Sequence, residues 1–299
     1  MTITSSIASA PAILHLEDSD DFAALFESLL GGSGFAVHRA HTLQECEAAA
    51  CAADFACAFV DLGLPDAAGL EAVMALRSAA PSLPLVVLSG EDTTSAAVKA
   101  MLLGAQDWIA KREVTTERLS RAAHLAIARQ DAQAQLAWRA SHDELTSLPN
   151  RPLAVEHLAR ALGRVSRGSG SVGVLFGDLD NFKSLNDRLG HAAGDRALAT
   201  VSHRLIVAVR PGDMVARWGG DEFLIIADGI DDAAQCATLA RRVREAVARP
   251  IAIATGEETI TMTIGVALET GAGSAHFAVE TADQAMLSAK RGGVGLIVA

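Results

Sequence analysis

Short apolar runs alternate with amphipathic stretches through the first third of the chain. The runs are AILHL (12–16), FAVHRA (35–40), ACAFVD (56–61), LPLVVLS (83–89) and DWIAK (107–111). Segments 20–30, 42–52, 68–79 and 92–103 between them carry helical patterns. Five strands alternating with helices predict a doubly wound parallel sheet. Residues 113–148 then contain neither Gly nor Pro and are rich in Ala, Gln, Arg and Leu. That composition predicts one long helix, the last of the first domain running on as a connector. DELTSLPNR (143–151) breaks it.

The second half opens with a helical stretch, 151–166, and a Gly/Ser hinge. A strand VGVLFGD (172–178) and helices near 181–188 and 193–209 follow. MVARW, a Gly-Gly turn and EFLIIA read as a tight hairpin whose second strand leaves the turn at Asp221-Glu222. A helix (231–248), a strand (257–268), a helix (275–291) and a short last strand complete the pattern. Helices interleaved with a hairpin predict a mixed sheet. The expected class is α/β with three parts: 1–125, a helical connector 126–142, and 143–299.

Composition narrows the partners. The 299 residues carry a net charge of −11, which argues against an electrostatic grip on nucleic acid or anionic lipid. Nor is there a basic recognition helix of the kind a DNA-binding regulator needs. Cys46, Cys51, Cys57 and Cys236 have neither zinc-ligand nor disulfide-framework spacing and are expected to be small buried apolar residues. The N-terminus lacks a signal-peptide pattern, and no apolar run reaches membrane-spanning length, so a soluble, cytoplasmic protein is expected.

The strand ends of the first domain carry the candidate chemistry. In a parallel sheet, ligands bind at the carboxyl edge. There lie Glu17 and Asp18 after the first strand, Asp61 after the third, Ser89 after the fourth and Lys111 after the fifth. Clustered carboxylates need a cation and suit a hard one such as Mg2+. A carboxylate flanked by a metal and an ammonium can accept a phosphoryl group. One acid alone would read as a helix cap.

The stretches ILHLEDSD, FVDLGLPDAAGLE, VVLSG and GAQDWIAK resemble the response-regulator receiver family. The resemblance implies Asp61 as phosphoacceptor, Glu17 and Asp18 as Mg2+ partners alongside it, and Lys111 as the phosphoryl contact. It further implies Ser89 as the switch hydroxyl, Trp108 as the aromatic that follows it, and a histidine kinase or phosphotransfer protein as donor. Arg112 stands where the family usually has proline.

A second acidic set lies in the other half. Asp178 ends the strand 172–178 while Asp221 and Glu222 leave the hairpin turn. Acids meeting at neighbouring strand ends could share one or two Mg2+ ions, which bridge phosphates and activate an attacking oxygen. DLDNFKSLNDRLGHAAGD (178–195) followed by RWGGDEF resembles the GGDEF domains of diguanylate cyclases over 143–292. That family joins two GTP molecules into cyclic di-GMP with release of pyrophosphate, on a fold resembling the nucleotidyl cyclases.

The resemblance implies Asp178, Asp221 and the Leu179 carbonyl as Mg2+ ligands, with Asp221 also the candidate base for the 3′-hydroxyl. Glu222 would be the adjacent metal-site acid and Lys183 the stabiliser of phosphate charge. Asn186 and Asp195 would read guanine, and Lys290 would clamp phosphate. Phe182 and His191 would pack and fix loops. Because each GTP supplies a nucleophile and an α-phosphate, two identical half-sites in a homodimer suffice. Arg210 and Asp213 stand at the family's offset for an inhibitory product site, which Arg241 or Arg242 would complete.

The pattern departs from the family at Ser147, at Leu287, and in AKRGGVG (289–295). There Val294 replaces an arginine that would touch phosphate, with Arg291 as its expected substitute. The leading expectation is a phosphorylation-controlled diguanylate cyclase. The alternative is a weak or inactive GGDEF effector that binds GTP or cyclic di-GMP.

Overall fold

Two apolar faces back to back explain why the first-half runs show no strand alternation. The computed structural model describes residues 10–67, 69–90, 94–168, 170–230, 232–253, 256–271 and 273–299, with only the backbone at 94 and 95. Contacts divide the chain into Met1–Leu136 and Ala137–Ala299.

In the first unit β1 (Ala12–Leu16), β2 (Ala36–Ala40), β3 (Cys57–Asp61), β4 (Leu85–Ser89) and β5 (Asp107–Ala110) form one sheet in the order β2-β1-β3-β4-β5, every pair parallel. Helices α1 (Asp20–Gly31), α2 (Leu43–Ala52), α3 (Glu71–Ala79) and α4 (Thr94–Leu102) alternate with the strands. Leu14, Leu16, Val60 and Val87 bury one face with Val73 and Leu76 of α3. Ile13, Phe59, Leu88 and Ile109 bury the other with Phe26 of α1 and Leu119, Ala122 and Ala126 of α5 (Thr116–Ser141). The expected doubly wound parallel sheet is present.

The helix expected across 113–148 is shorter at both ends. Lys111–Glu113 form a 3-10 turn that takes up Arg112 without a proline. Thr115 Oγ1 accepts the N–H of Arg118 at 3.2 Å, so this hydroxyl sets the start of α5. After Ser141 the chain turns on Asp143, whose carboxylate accepts from the N–H and hydroxyl of Thr146 at 2.8 and 2.6 Å. Ser147 closes that turn with φ of 58°. A glycine-free sequence does not guarantee a helix when an Asp side chain competes for the backbone.

The second unit begins with α6 (Arg151–Val165) and is a mixed five-stranded sheet, ordered β12-β11-β6-β8-β7. Its strands are β6 (Val172–Leu179), β7 (Met214–Gly219), β8 (Glu222–Asp228), β11 (Met262–Glu269) and β12 (Leu296–Val298). The remaining helices are α7 (Phe182–Leu189), α8 (His191–Ala208), α9 (Ala233–Val247) and α10 (Ala275–Gly292). Leu175, Phe223 and Ile225 pack toward α8 and α9, while Val174, Phe176, Leu224 and Ile226 pack toward α6 and α10. The strand expected at 257–268 is two elements. β10 (Gly256–Glu258) pairs with β9 (Ile251–Ile253) in a separate hairpin, and only β11 joins the main sheet.

Gly265 fixes how closely α10 lies on that sheet. A Cβ there would stand 2.1 Å from both the Ala282 carbonyl and the Met286 nitrogen. Only a bare Cα lets the helix backbone approach, and this seats the last turns of α10 beside the end of β6. Among the described residues no helix is long and apolar enough to cross a membrane. Cys46, Cys57 and Cys236 are buried as expected, but Cys51 is exposed near the end of α2.

Candidate functional site

In the first unit the predicted edge residues converge. Glu17, Asp18 and Asp61 offer carboxylate oxygens that all lie within 4.8 Å of one another. Lys111 Nζ is 2.6 Å from Glu17 Oε2 and 3.0 Å from Asp61 Oδ2. Glu17 and Asp61 are buried and Asp18 is exposed, so the cluster opens to solvent on one side. Burial raises the Glu17 carboxyl above its ordinary value, and the charge of Asp61 adds to this while Lys111 opposes it. The donor set fits a hard divalent cation: oxygens only, clustered and under mutual repulsion. Ser89 ends β4 and Trp108 lies on β5, in register with Val87. Arg39 of β2 belongs to none of the sequence motifs. Its guanidinium donates to the carbonyls of Glu17 and Asp18, each at 3.0 Å, and pairs with Asp20, fixing the acidic loop.

In the second unit the strand register performs the convergence. Asp178 stands opposite Glu222 on β8 and Thr263 on β11. The turn differs from expectation: β7 runs through Gly219, β8 starts at Glu222, and Gly220 and Asp221 form the link. Gly220 takes φ of 51° and Asp221 sits in the turn itself rather than in the strand. The Leu179 N–H donates to the Asp221 carbonyl at 3.2 Å, which ties this turn to the end of β6.

Arg217 holds the hairpin from below. Its Nε and Nη2 donate to the Gly220 carbonyl at 3.0 and 2.7 Å, while Nη1 reaches both Asp143 oxygens at 2.9 and 3.0 Å. Burial alone would raise Asp143, but the bonds from Thr146 and Arg217 outweigh it and lower the carboxyl.

The acids influence one another as a cluster should. Burial is the largest cause of the raised Asp178 carboxyl; Lys290 opposes it, while Asp221 and Asp180 reinforce it. Glu222 is raised by burial, then by Asp178, Asp283 and Asp221. Asp283, on α10, is a further acid that no motif singled out. Lys290 Nζ lies 2.5 Å from Asp178 Oδ1. Asp180 accepts from the Thr261 and Thr263 hydroxyls at 2.5 and 2.7 Å. Carboxylates raised by burial and by each other fit a divalent cation, which would relieve both.

The other expected residues lie on the helices beside this cluster. Lys183 is exposed in the first turn of α7, where Asn181 takes the left-handed conformation and its side chain makes no capping bond. Asn186 and Asp195 are carried by the paired helices α7 and α8. Asn186 Oδ1 is buried with no hydrogen-bond partner among the described residues, and a Cβ at Gly194 would fall 1.9 Å from it. Phe182 packs on the core and His191 is the exposed first residue of α8. Arg291 stays on its own helix, with Nε donating to the Leu287 carbonyl at 3.3 Å.

Arg210 and Asp213 meet across a turn, Nε to Oδ1 at 3.2 Å. They line a cleft of about 350 Å3 with Asp232, Gln235 and Arg242. Of Arg241 and Arg242 on α9, Arg242 lines this cleft and Arg241 does not.

Two family models match: "Diguanylate cyclase, GGDEF domain" over residues 140–295 and "Response regulator receiver domain" over 13–124. The diguanylate cyclase TpbB of Pseudomonas aeruginosa is 42% identical over 168 residues, covering 54% of this chain and 38% of TpbB. The bifunctional diguanylate cyclase/cyclic di-GMP phosphodiesterase MucR of the same species is 39% identical, covering 57% of this chain and 25% of MucR. This chain therefore spans well under half the length of either relative. Among solved structures, the coiled coil and GGDEF domain of DgcB from Caulobacter crescentus, in complex with c-di-GMP, aligns with a TM-score of 0.57 at 29% identity, over 61% of this chain and 98% of that one. The GGDEF domain of TpbB aligns with a TM-score of 0.51 at 38% identity, over 53% of this chain and 94% of that one.

Proposed function

The chain belongs to the GGDEF family of diguanylate cyclases, with a response-regulator receiver domain ahead of the GGDEF domain, and on that premise we propose that it condenses two GTP into cyclic di-GMP under control of phosphorylation at Asp61. The observation that carries this reading is the convergence of Asp178, Asp221 and Glu222 on one sheet edge, with Lys290 paired to Asp178. Asp178, the Leu179 carbonyl and Asp221 would hold Mg2+, which when bound neutralises the triphosphate and lowers the pKa of the attacking hydroxyl.

The chain's own residues do the rest. Asn186 and Asp195 orient the guanine: a carboxylate accepts from its N1–H and N2–H2 groups, a donor pair that adenine does not present. Lys183 and Lys290 offset phosphate charge, and Asp221 takes the proton from the 3′-oxygen. Glu222, raised by burial and then by its acidic neighbours, completes the acid set. Each domain holds one substrate, so product forms between two copies related by a two-fold axis. The Arg210–Asp213 cleft is the proposed seat of product inhibition, since arginine suits phosphate and aspartate suits the guanine N–H face. Support for a product-binding surface comes from DgcB, whose structure holds c-di-GMP.

At the other site, Glu17 and Asp18 would hold Mg2+ beside Asp61, and Lys111 would bind the incoming phosphoryl group. A histidine kinase or phosphotransfer protein would be the donor. The test is incubation with GTP and Mg2+, with and without a small phosphodonor, followed by nucleotide analysis. Cyclic di-GMP should form at a rate the donor changes in the unaltered chain but not in Asp61→Asn. GTP bound but never converted would assign the chain to the effector reading instead.

A further inference from the structure

Lys290 is not the sole cation at the acid cluster. A cleft of about 510 Å3 lies beside it, bounded by Asp180, Asn181, Thr263, Lys290, Val294 and Arg244. Arg244 comes from α9, and its Nε donates to the Met262 carbonyl at 3.0 Å, which anchors the guanidinium at the sheet edge. Among the described residues no carboxylate pairs with it. Asp180, the acid in the same cleft, has its oxygens engaged by Thr261 and Thr263.

The seat for this guanidinium is specific. A Cβ at Gly295 would stand 1.7 Å from Arg244 Nη2 and 2.2 Å from Cζ. The group therefore lies close against a bare Cα, and any side chain at 295 would push it away. Val294 next to it is an exposed apolar side chain with nothing to offer a phosphate. Arg291, the substitute expected from the sequence, is bonded to its own helix and does not line the cleft.

We propose that Arg244 supplies, from α9, the guanidinium contact to the terminal phosphates of bound GTP that Val294 cannot make, with Gly295 as its seat. The inference rests on the cyclase reading above and names a binding residue within it. A planar guanidinium with free Nη donors matches phosphate oxygens in pairs, whereas an ammonium such as Lys290 acts as a point charge. The two cations face the same cleft and divide the work.

The test is calorimetric binding of 3′-deoxyguanosine tri-, di- and monophosphate to the full chain with Mg2+; these lack the attacking hydroxyl, so nothing turns over. Arg244→Gln keeps an amide donor for the Met262 carbonyl and loses the charge. It should weaken triphosphate binding about tenfold and leave the monophosphate unchanged. Gly295→Ala, which displaces the guanidinium without removing it, should give the same selective loss. Adding Val294→Arg to Arg244→Gln should restore most of the affinity. Equal loss for mono- and triphosphate, or no loss at all, would overturn the assignment. If Lys290→Ala weakens the triphosphate and Arg244→Gln does not, this inference alone fails. If the unaltered chain binds none of the three, the cyclase reading itself fails.

Discussion

The ammonium of Lys290 lies 2.5 Å from Oδ1 of Asp178, joining the last turn of α10 to the end of β6. It is the counter-charge that opposes burial at both Asp178 and Glu222. The two partners of this pair should therefore respond oppositely to removal of their charge.

A carboxyl raised above its ordinary value gives its full stability below that value and loses it as pH rises. For Asp178 the loss begins above 3.8 and is complete once pH passes its raised value. At neutral pH the charged form thus weakens the ligand-free fold. Asp178→Asn should raise the denaturant midpoint at neutral pH, with the gain vanishing below 3.8. Lys290→Met should lower it, through a stability loss of about 1 kcal/mol after solvent screening. Midpoints shifting in the same direction would show that the cluster is not under charge strain.

Gly194 leaves room for Asn186. With Oδ1 of Asn186 where a Cβ would fall at 1.9 Å, Gly194→Ala must move the amide. The cost to stability is expected at about 1–3 kcal/mol. KM for GTP should rise at least about tenfold, as for a lost hydrogen bond to a polar substrate group. An unchanged KM in a folded Gly194→Ala protein would remove Asn186 from the guanine site.

His15 makes the first unit acid-sensitive. It is fully buried, its ring stacks on Phe26 with centroids 3.7 Å apart, and among the described residues neither nitrogen has a hydrogen-bond partner. Burial, then the charges of Lys111 and Arg39, lowers it from 6.5 to about 3. The fold keeps His15 neutral while the unfolded chain takes up a proton. Its stability contribution is whole above 6.5 and is lost as pH falls toward 3. The slope is up to about 1.4 kcal/mol per pH unit. His15→Leu should flatten the pH profile of chemical denaturation over that range; parallel profiles would contradict this.

What the sequence made legible was local. The runs that became β1, β3, β4, β6 and β8 and the acids at their ends could be read because strand length, turn chemistry and motif spacing are short-range properties. The contacts that complete the site are not. Arg217 reaches Asp143 across 74 positions, and Arg244 meets Gly295 only because α9 and α10 both pack near β11 and β12. Asp283 is one acid in an amphipathic helix, and nothing in its neighbourhood marks it as facing Glu222. Sheet register and helix placement decide such pairs, and one sequence does not display them. The position of the turn is hidden for a different reason: both glycines suit a primed hairpin, yet the bulge between Arg217 and Gly219 shifts the link by one residue onto Asp221.

The most direct test of the central claim is the initial rate of cyclic di-GMP formation from GTP and Mg2+ by the full chain and by Asp221→Asn, measured alongside GTP binding. The account expects product and pyrophosphate from the unaltered chain, with the variant slowed at least about a thousandfold while still folded. Equal rates from the two proteins would contradict it.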